Sequence, residues 1–497
     1  VKRLVSLPAA ALFAATVFVA APARAQAPDR SKPPVPGPPP ELHLPQATKL
    51  KLSNGVPVLF VERHKVPLVE VLVVLGGGAS ADPAPRPGLA SLTSSLLERG
   101  AGSRSALEIS DVADYLGADL STGVDWDSTA VGVNVPVARL PEALGLLSDL
   151  VRSPTFPADE VERVRDELLT DMLQWRDEPE ELATTAMPQA VYGAHPYGRR
   201  IEGDTAFVRS VTRDEIRRFH ASRYVPEAAA IVAVGDVASK DLMPLLEKAF
   251  GSWTAASTSA APAPPPPAPQ IRERRVVLVD KPGAPQTQIF IARVGPSRPK
   301  ADYFPILVAN TVLGGSFTSR LNHNLRETKG YTYGAFSAFS WRLSTGPFYA
   351  HAAVQTDKTG PALVEFFKEL DAIRDISEDE LRRAKSYTSL RYPGNFEAVA
   401  QVANRIRDQL VFGLPDDYFN SYVSKIQAVT AADVKRAVSE TIDPKASVVV
   451  LVGDRSKIEK EVRALSLGPI TFRTVDDVLG KPPASGSGSH KGKTKKG

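Results

Sequence analysis

Two long stretches of this chain repeat each other at one fixed spacing, and that duplication limits the possible folds more than any other feature. VTRDEIRRFHASRYVPEAAAIVAVGDV, beginning at Val211, returns as VTAADVKRAVSETIDPKASVVVLVGDR, beginning at Val429. Thr212, Pro226, Gly235 and Asp236 thereby fall on Thr430, Pro444, Gly453 and Asp454, each 218 positions later. The same step carries residues 58–62 (VLFVE) and Pro67 onto residues 276–280 (VVLVD) and Pro285. One spacing that holds at both ends of each half implies a duplicated unit of about 210 residues.

Each unit opens with a strand pair, residues 56–62 and 69–75 or 276–279 and 287–293. A helix, further strands and a long charged helix follow. A Thr-capped helix then runs into an apolar strand, 230–234 or 447–452. Strands and helices mix without regular βαβ alternation, so the expected class is α+β, two homologous domains of antiparallel-rich sheet layered with helices. Pro-rich segments at 26–45 and 254–270 can form neither a helix interior nor a sheet ladder, and they read as extended connectors. The expected organisation is a signal peptide at 1–25, a Pro-rich segment at 26–45 and a first domain at 46–253. A Pro-rich linker at 254–270, a second domain at 271–480 and a disordered basic tail at 481–497 complete it.

The first 25 residues, VKRLVSLPAAALFAATVFVAAPARA, combine early cations, an apolar run and an Ala-x-Ala site, the pattern of a secretory signal. The apolar run is shorter than the roughly 20 residues of a membrane-spanning helix, so export to a bacterial periplasm or beyond is expected rather than anchoring. The chain has no cysteine, which excludes disulfides, thiolate metal sites and thiol nucleophiles. Seven of its 60 Lys and Arg lie in the signal and at 482–497, leaving 53 cations against 56 anions in the remainder. A near-neutral body lacks the basic face that nucleic acid requires. The Lys-rich end reads as a solvated terminus.

Residues 314–340, GGSFTSRLNHNLRETKGYTYGAFSAFS, carry the strongest functional signal. Val312, Leu313, Leu321 and Leu325 recur at helical spacing, which predicts an amphipathic helix over 316–329 that stops at Gly330. A strand is expected to start at once, with Tyr331 and Tyr333 on one face. The junction would bring Arg326 and Tyr333, both hydrogen-bond donors, toward the same sheet end. This pattern, GG-x(3)-SR-L-x(3)-LRE-x(2)-G-x-x-Y, resembles the second half of the M16 (pitrilysin, insulinase, mitochondrial processing peptidase) family of zinc peptidases, over residues 50–470. In that family an Arg and a Tyr at this spacing bind substrate and the tetrahedral intermediate, and the resemblance gives those roles to Arg326 and Tyr333.

The same resemblance implies His-x-x-Glu-His on the first helix of the first half. PGLASLTSSLLERGAG, from Pro87, instead places Ser91, Ser94 and Ser95 at the His, Glu and His positions, while Leu89, Leu92 and Leu96 keep the buried stripe. Serine hydroxyls cannot replace imidazole and carboxylate ligands, and the general base is missing too. The seven histidines lie at least 21 residues apart, so no pair shares a helix face. On the charged helix over 158–176, where the family places a further Glu ligand, Glu160, Glu162 and Glu167 read as a salt-bridged face beside the stripe Val161, Val164, Leu168 and Met172. A serine nucleophile finds no nucleophile-elbow signature. His195, in AHPYGR, resembles a family loop near the active chamber and reads as structural or substrate-contacting.

Family members lacking the zinc motif but keeping the Arg/Tyr pair commonly join a zinc-bearing sibling. The implied function is thus the non-catalytic subunit of an exported heterodimeric zinc peptidase. This chain would bind no cofactor of its own, zinc would sit on the partner, and an extended peptide would add to an exposed sheet edge, for which residues 127–135 are a candidate. The alternative is an M16-like scaffold or peptide-binding protein without peptidase work.

Overall fold

The structure is a computed structural model and describes residues 43–482 apart from 45, 256–262, 264 and 301, together with Gly37. The expected signal at 1–25 and the tail beyond 482 lie outside the described residues. The central strands of each half are continuous apolar runs, which fits burial on both faces rather than alternation. In chain order the strands of the first half are β1 (Thr48–Lys51), β2 (Pro57–Glu62), β3 (Leu68–Gly76), a small hairpin β4 (Gly100–Ala101) and β5 (Arg104–Ser105), then β6 (Asp119–Val124), β7 (Ser128–Pro136) and β8 (Ala229–Gly235). The second half supplies β9 (Arg275–Asp280), β10 (Gln286–Val294), β11 (Thr332–Phe339), β12 (Pro347–Gln355), β13 (Val448–Gly453) and β14 (Ile470–Arg473). They form two six-stranded sheets, ordered β1-β2-β8-β3-β7-β6 and β14-β9-β13-β10-β12-β11.

The duplication extends to hydrogen-bond register. Val58 sits opposite Ile231 in the parallel β2/β8 pair, and Val276 opposite Val449 in β9/β13, each 218 positions on. In the antiparallel pairs, Val71 opposite Ala233 becomes Ile289 opposite Leu451. The outer strand differs: β1 runs antiparallel to β2, whereas β14, from the far end of the chain, runs parallel to β9. Both helices leading into the central strands start with capping boxes, Thr212 with Glu215 and Thr430 with Asp433, as the sequence predicts. The described residues of the Pro-rich linker form no helix or strand.

One face of the first sheet packs on helices of its own half, including Leu89–Ser95, Leu140–Arg152 and Arg213–Arg223. Its other face, with Leu72, Val74, Val232 and Val234, is closed by Val399–Phe412, a helix of the second half. The second sheet is treated reciprocally. Val277, Val279, Phe290 and Val450 pack against Leu182, Ala186 and Met187 of Pro179–Tyr192, a helix of the first half. Each half thus lends a helix to the other, burying apolar side chains worth roughly 1.5–3 kcal/mol apiece.

Residues 127–135, a candidate substrate edge from sequence, are interior. β7 is paired on both sides, to β3 and β6, and β6 is the edge. The alternation at 129, 131 and 133 reflects packing against two sheet faces, which from sequence alone looks the same as an edge strand. No helix among the described residues is long and apolar enough to cross a membrane.

Candidate functional site

The junction between the 314–330 segment and β11 is tighter than periodicity predicts. The helix begins at Arg320, not at 316, because the amides of Gly314 and Gly315 are held by the Asn310 carbonyl in a turn. A side chain at Gly314 would collide with the Ser337 amide, 2.3 Å from its Cβ position, so only glycine lets the turn lie on β11. From His323 to Thr328 the helix widens into a π-helix, with the Lys329 amide donating to the Asn324 carbonyl. Gly330, at φ 67°, reverses the chain. Asn324 is pinned by Glu365 and Glu369 (2.9 and 2.7 Å), and Lys329 pairs with Glu365 at 2.8 Å. The Lys329 and Asn324 donors hold the Glu365 carboxyl at about 2, well below its ordinary range.

Tyr333 stands out from this junction because β11 starts with a bulge between Thr332 and Ala335. Thr332 Oγ1 donates to the Ala353 carbonyl (2.6 Å) and accepts from the Gly334 amide (3.2 Å), filling the irregular step. The Tyr333 ring is left 90% exposed. Arg326 lies over the exposed Phe317 ring, 4.6 Å from its centroid, and pairs loosely with Glu327 at 3.2 Å. Arg326 and Tyr333 line one open cleft of about 350 Å³ with Tyr331, Thr332, Gln286 and Gln355. The two glutamines face each other across β10/β12. Guanidinium, phenol and paired amides together can hold the carbonyls and amides of a peptide backbone. Nothing in the sequence marked Gln286 or Gln355, since isolated amides carry no motif.

The helix Leu89–Ser95 keeps its place in the first core through Leu89 and Leu92. Ser91 is half-buried, and Ser95 is exposed with its hydroxyl donating to the Leu92 carbonyl at 3.0 Å. Ser94 points inward, where its hydroxyl and that of Tyr224 face each other without a well-formed hydrogen bond. Burial pushes the Tyr224 phenol up. On the helix Ala158–Gln174, Glu160 and Glu167 pair with Arg163, and Glu162 with Arg165, as a salt-bridged face. This donor set does not fit zinc: hydroxyls stand where imidazoles would, and the nearby carboxylates are taken by guanidinia. Among the described residues no group of three or more His, Asp or Glu could hold a metal ion.

One support of the serine-bearing helix escaped sequence reasoning. Asp82, buried, accepts from the amides of Gly88 (2.7 Å) and Ala90 (2.9 Å), satisfying the helix start. Burial raises its carboxyl to about 6 despite those donors. His195 is structural: its Nδ1 accepts from the Tyr197 amide (3.1 Å), and its Nε2 lies 2.7 Å from the Pro266 carbonyl of the linker.

Comparison with known proteins matches a profile described as Insulinase (Peptidase family M16) to residues 58–205, and one described as Peptidase M16 inactive domain to residues 210–387. The chain belongs to the M16 family. Among M16 relatives it is 27% identical to an uncharacterized zinc protease of Mycobacterium tuberculosis over 421 residues, 83% of this chain and 95% of that one. It is 24% identical to a probable mitochondrial-processing peptidase subunit beta of Schizosaccharomyces pombe over 422 residues, 82% of this chain and 92% of that one. Of solved structures, the peptidase M16 inactive domain of Pseudomonas fluorescens superposes with a TM-score of 0.76 at 25% identity, covering 82% of this chain and 98% of that one. A protease of Helicobacter pylori has the same fold, with a TM-score of 0.77 at 22% identity, covering 82% of this chain and all of that one.

Proposed function

We propose that this chain is the non-catalytic subunit of an exported M16-type zinc peptidase, with residues 1–25 as its export signal and a zinc-bearing M16 sibling as its partner. The observation that carries the reading is the contrast between the two halves. Serines fill all three zinc-motif positions of the first half, while Arg326 and Tyr333 share one polar cleft in the second. The nucleophile and the metal are assigned to the sibling. This chain's share is binding and charge stabilisation: Arg326 holds peptide carbonyls, and the Tyr333 hydroxyl donates to the oxyanion as it develops. Such donors are worth roughly 3 to 4 kcal/mol each. The extended peptide would pair with β6, one of the two edge strands of the first sheet. The outward β11 amides are less available, because Ala335 donates to Asn322 (3.2 Å) and Ser337 to the Gly314 carbonyl (3.2 Å).

The test is to purify the chain alone and together with an M16 sibling that carries intact His-x-x-Glu-His, then assay an unstructured peptide with zinc measured in each sample. Hydrolysis by the pair and none by the zinc-free single chain is expected. Strong hydrolysis by the zinc-free chain alone refutes the subunit reading. A stable pair whose activity equals that of the sibling alone favours the scaffold instead.

A further inference from the structure

A second cavity, of about 260 Å³, lies in the second half among the β10–α connection, the helix Val399–Phe412 and the segment 414–422. Its walls are chiefly flat rings, with Tyr303, Trp341, Tyr392, Tyr418 and Tyr422 grouped around the guanidinium of Arg298. Arg298 is 8% exposed. Its guanidinium lies 3.6 Å from the Tyr303 centroid and 5.1 Å from that of Tyr418, and it donates to the Tyr418 hydroxyl at 2.5 Å. Among the described residues no carboxylate pairs with it. The nearby acids are committed elsewhere, Asp302 to Arg436 (2.6 Å) and Asp408 to Arg405 (3.2 Å). Tyr392, only 6% exposed and stacked on Tyr422 at 3.9 Å, has a buried hydroxyl with no hydrogen-bond partner. Burial pushes the phenols of Tyr392, Tyr418 and Tyr422 up, so they remain protonated donors.

A buried cation without a counter-ion and an orphaned hydroxyl each cost free energy that plain packing would avoid. Cation–π contact offsets part of the first and none of the second. The one carboxylate in the lining, Asp408, is held by Arg405 and Arg407, so what the cavity lacks is an uncommitted negative acceptor for Arg298, and what it offers besides donors is aromatic surface. A cavity of about 150 Å³ holds benzene, so this one has room for a ring with a short carboxylate-bearing arm. We propose that the Arg298 cavity binds a small aromatic carboxylate, either a free arylalkanoic acid or the C-terminal Phe or Tyr of a peptide. The carboxylate would pair with Arg298, the Tyr392 hydroxyl would donate to it, and the ring would pack among the tyrosines. This site is separate from the Arg326/Tyr333 cleft and does not depend on the peptidase reading.

The test is calorimetric titration of the full chain with 3-phenylpropionate, 3-phenylpropanamide, N-acetyl-Ala-Phe and its C-terminal amide, with Trp341 fluorescence as a second readout. Each acid should bind at least about tenfold more tightly than its amide, since hydrogen bonds to charged groups are the stronger class. Tighter binding of N-acetyl-Ala-Phe than of 3-phenylpropionate assigns the site to peptide C-termini, and the reverse assigns it to free acids. Tyr392→Phe removes only an unpartnered hydroxyl, so it should leave the melting temperature unchanged or higher while weakening the acids roughly five- to tenfold. Arg298→Gln should erase the preference for acid over amide, and if that variant does not fold, Tyr392→Phe decides. No binding of either acid at about 10 mM, equal affinity for acid and amide, or unchanged affinity in Tyr392→Phe overturns the proposal.

Discussion

Replacing Tyr333 with Phe separates chemistry from stability more cleanly than any other change in this chain. The ring is 90% exposed, and no hydrogen bond of its hydroxyl occurs among the described residues, so folding should change by less than about 0.5 kcal/mol. If the hydroxyl donates to the developing oxyanion, its loss should lower the turnover of the assembled pair about 10²- to 10³-fold, or roughly 2.7–4 kcal/mol. Arg326→Ala gives up an exposed pair with Glu327 and an exposed stack on Phe317, together no more than about 1–2 kcal/mol of stability. It should raise KM as well as lower kcat, because the guanidinium is assigned to ground-state carbonyls too. The assay is steady-state hydrolysis by the pair, with thermal unfolding of the single chain and size-exclusion chromatography of the pair run in parallel. Turnover of the Tyr333→Phe pair within about twofold of the parent would refute the oxyanion role. Loss of pairing with normal melting would instead place Tyr333 in the contact between subunits.

Ile406→Ala empties part of the contact between the Val399–Phe412 helix and the back of the first sheet, and should cost about 2–5 kcal/mol in urea unfolding. Amide exchange should quicken in strands of both halves, because the helix and its socket come from different units. The Arg320 donors, at 2.6 and 2.8 Å, hold the Glu380 carboxyl at about 2, below its ordinary 4.5. That stabilisation is full above about 4.5 and fades as pH falls toward 2. Glu380→Gln should therefore cost about 1–3 kcal/mol at neutral pH, with the difference closing in acid. His220 is held neutral by burial, its pKa lowered from 6.5 to about 4. Its contribution is intact above 6.5 and is lost as pH drops to 4, so His220→Gln should flatten the stability profile across that window by up to about 3 kcal/mol.

The repeat at a step of 218 made the two-domain α+β plan legible, because both copies carry the same local apolar pattern, but not the strand neighbours: the opening strands 57–62 and 68–76 are separated by β8, which pairs Ile231 with Val58 as Val449 pairs with Val276 in the second half. The capping boxes at Thr212 and Thr430 were legible for the same local reason. Contacts between distant elements were not. The apolar stripe of Val399–Phe412 announces one buried face without saying whose sheet it meets, and the exchange of helices between halves was missed. β7 looked like an edge because alternation cannot tell one neighbour from two. At the site, the spacing of Arg326 and Tyr333 was visible, but the turn held by Asn310, the π-helix and the bulge at Thr332 depend on backbone hydrogen bonds that residue types do not specify. The three serines were readable in place, whereas the inward turn of Ser94 toward Tyr224 needed the packing of a helix more than a hundred residues away.

The reciprocal loan of helices bears on how such a chain can arise. A lone copy of the repeated unit would leave Leu72, Val74, Val232 and Val234, or their counterparts, facing water as an apolar patch of the kind that drives association. Such a copy could hide that patch only beneath the matching helix of a twin, donated around a shared two-fold axis. The present molecule is the covalent form of that embrace, and with the twins fused, one set of serines and one Arg/Tyr pair are free to diverge without breaking the shell that both units build.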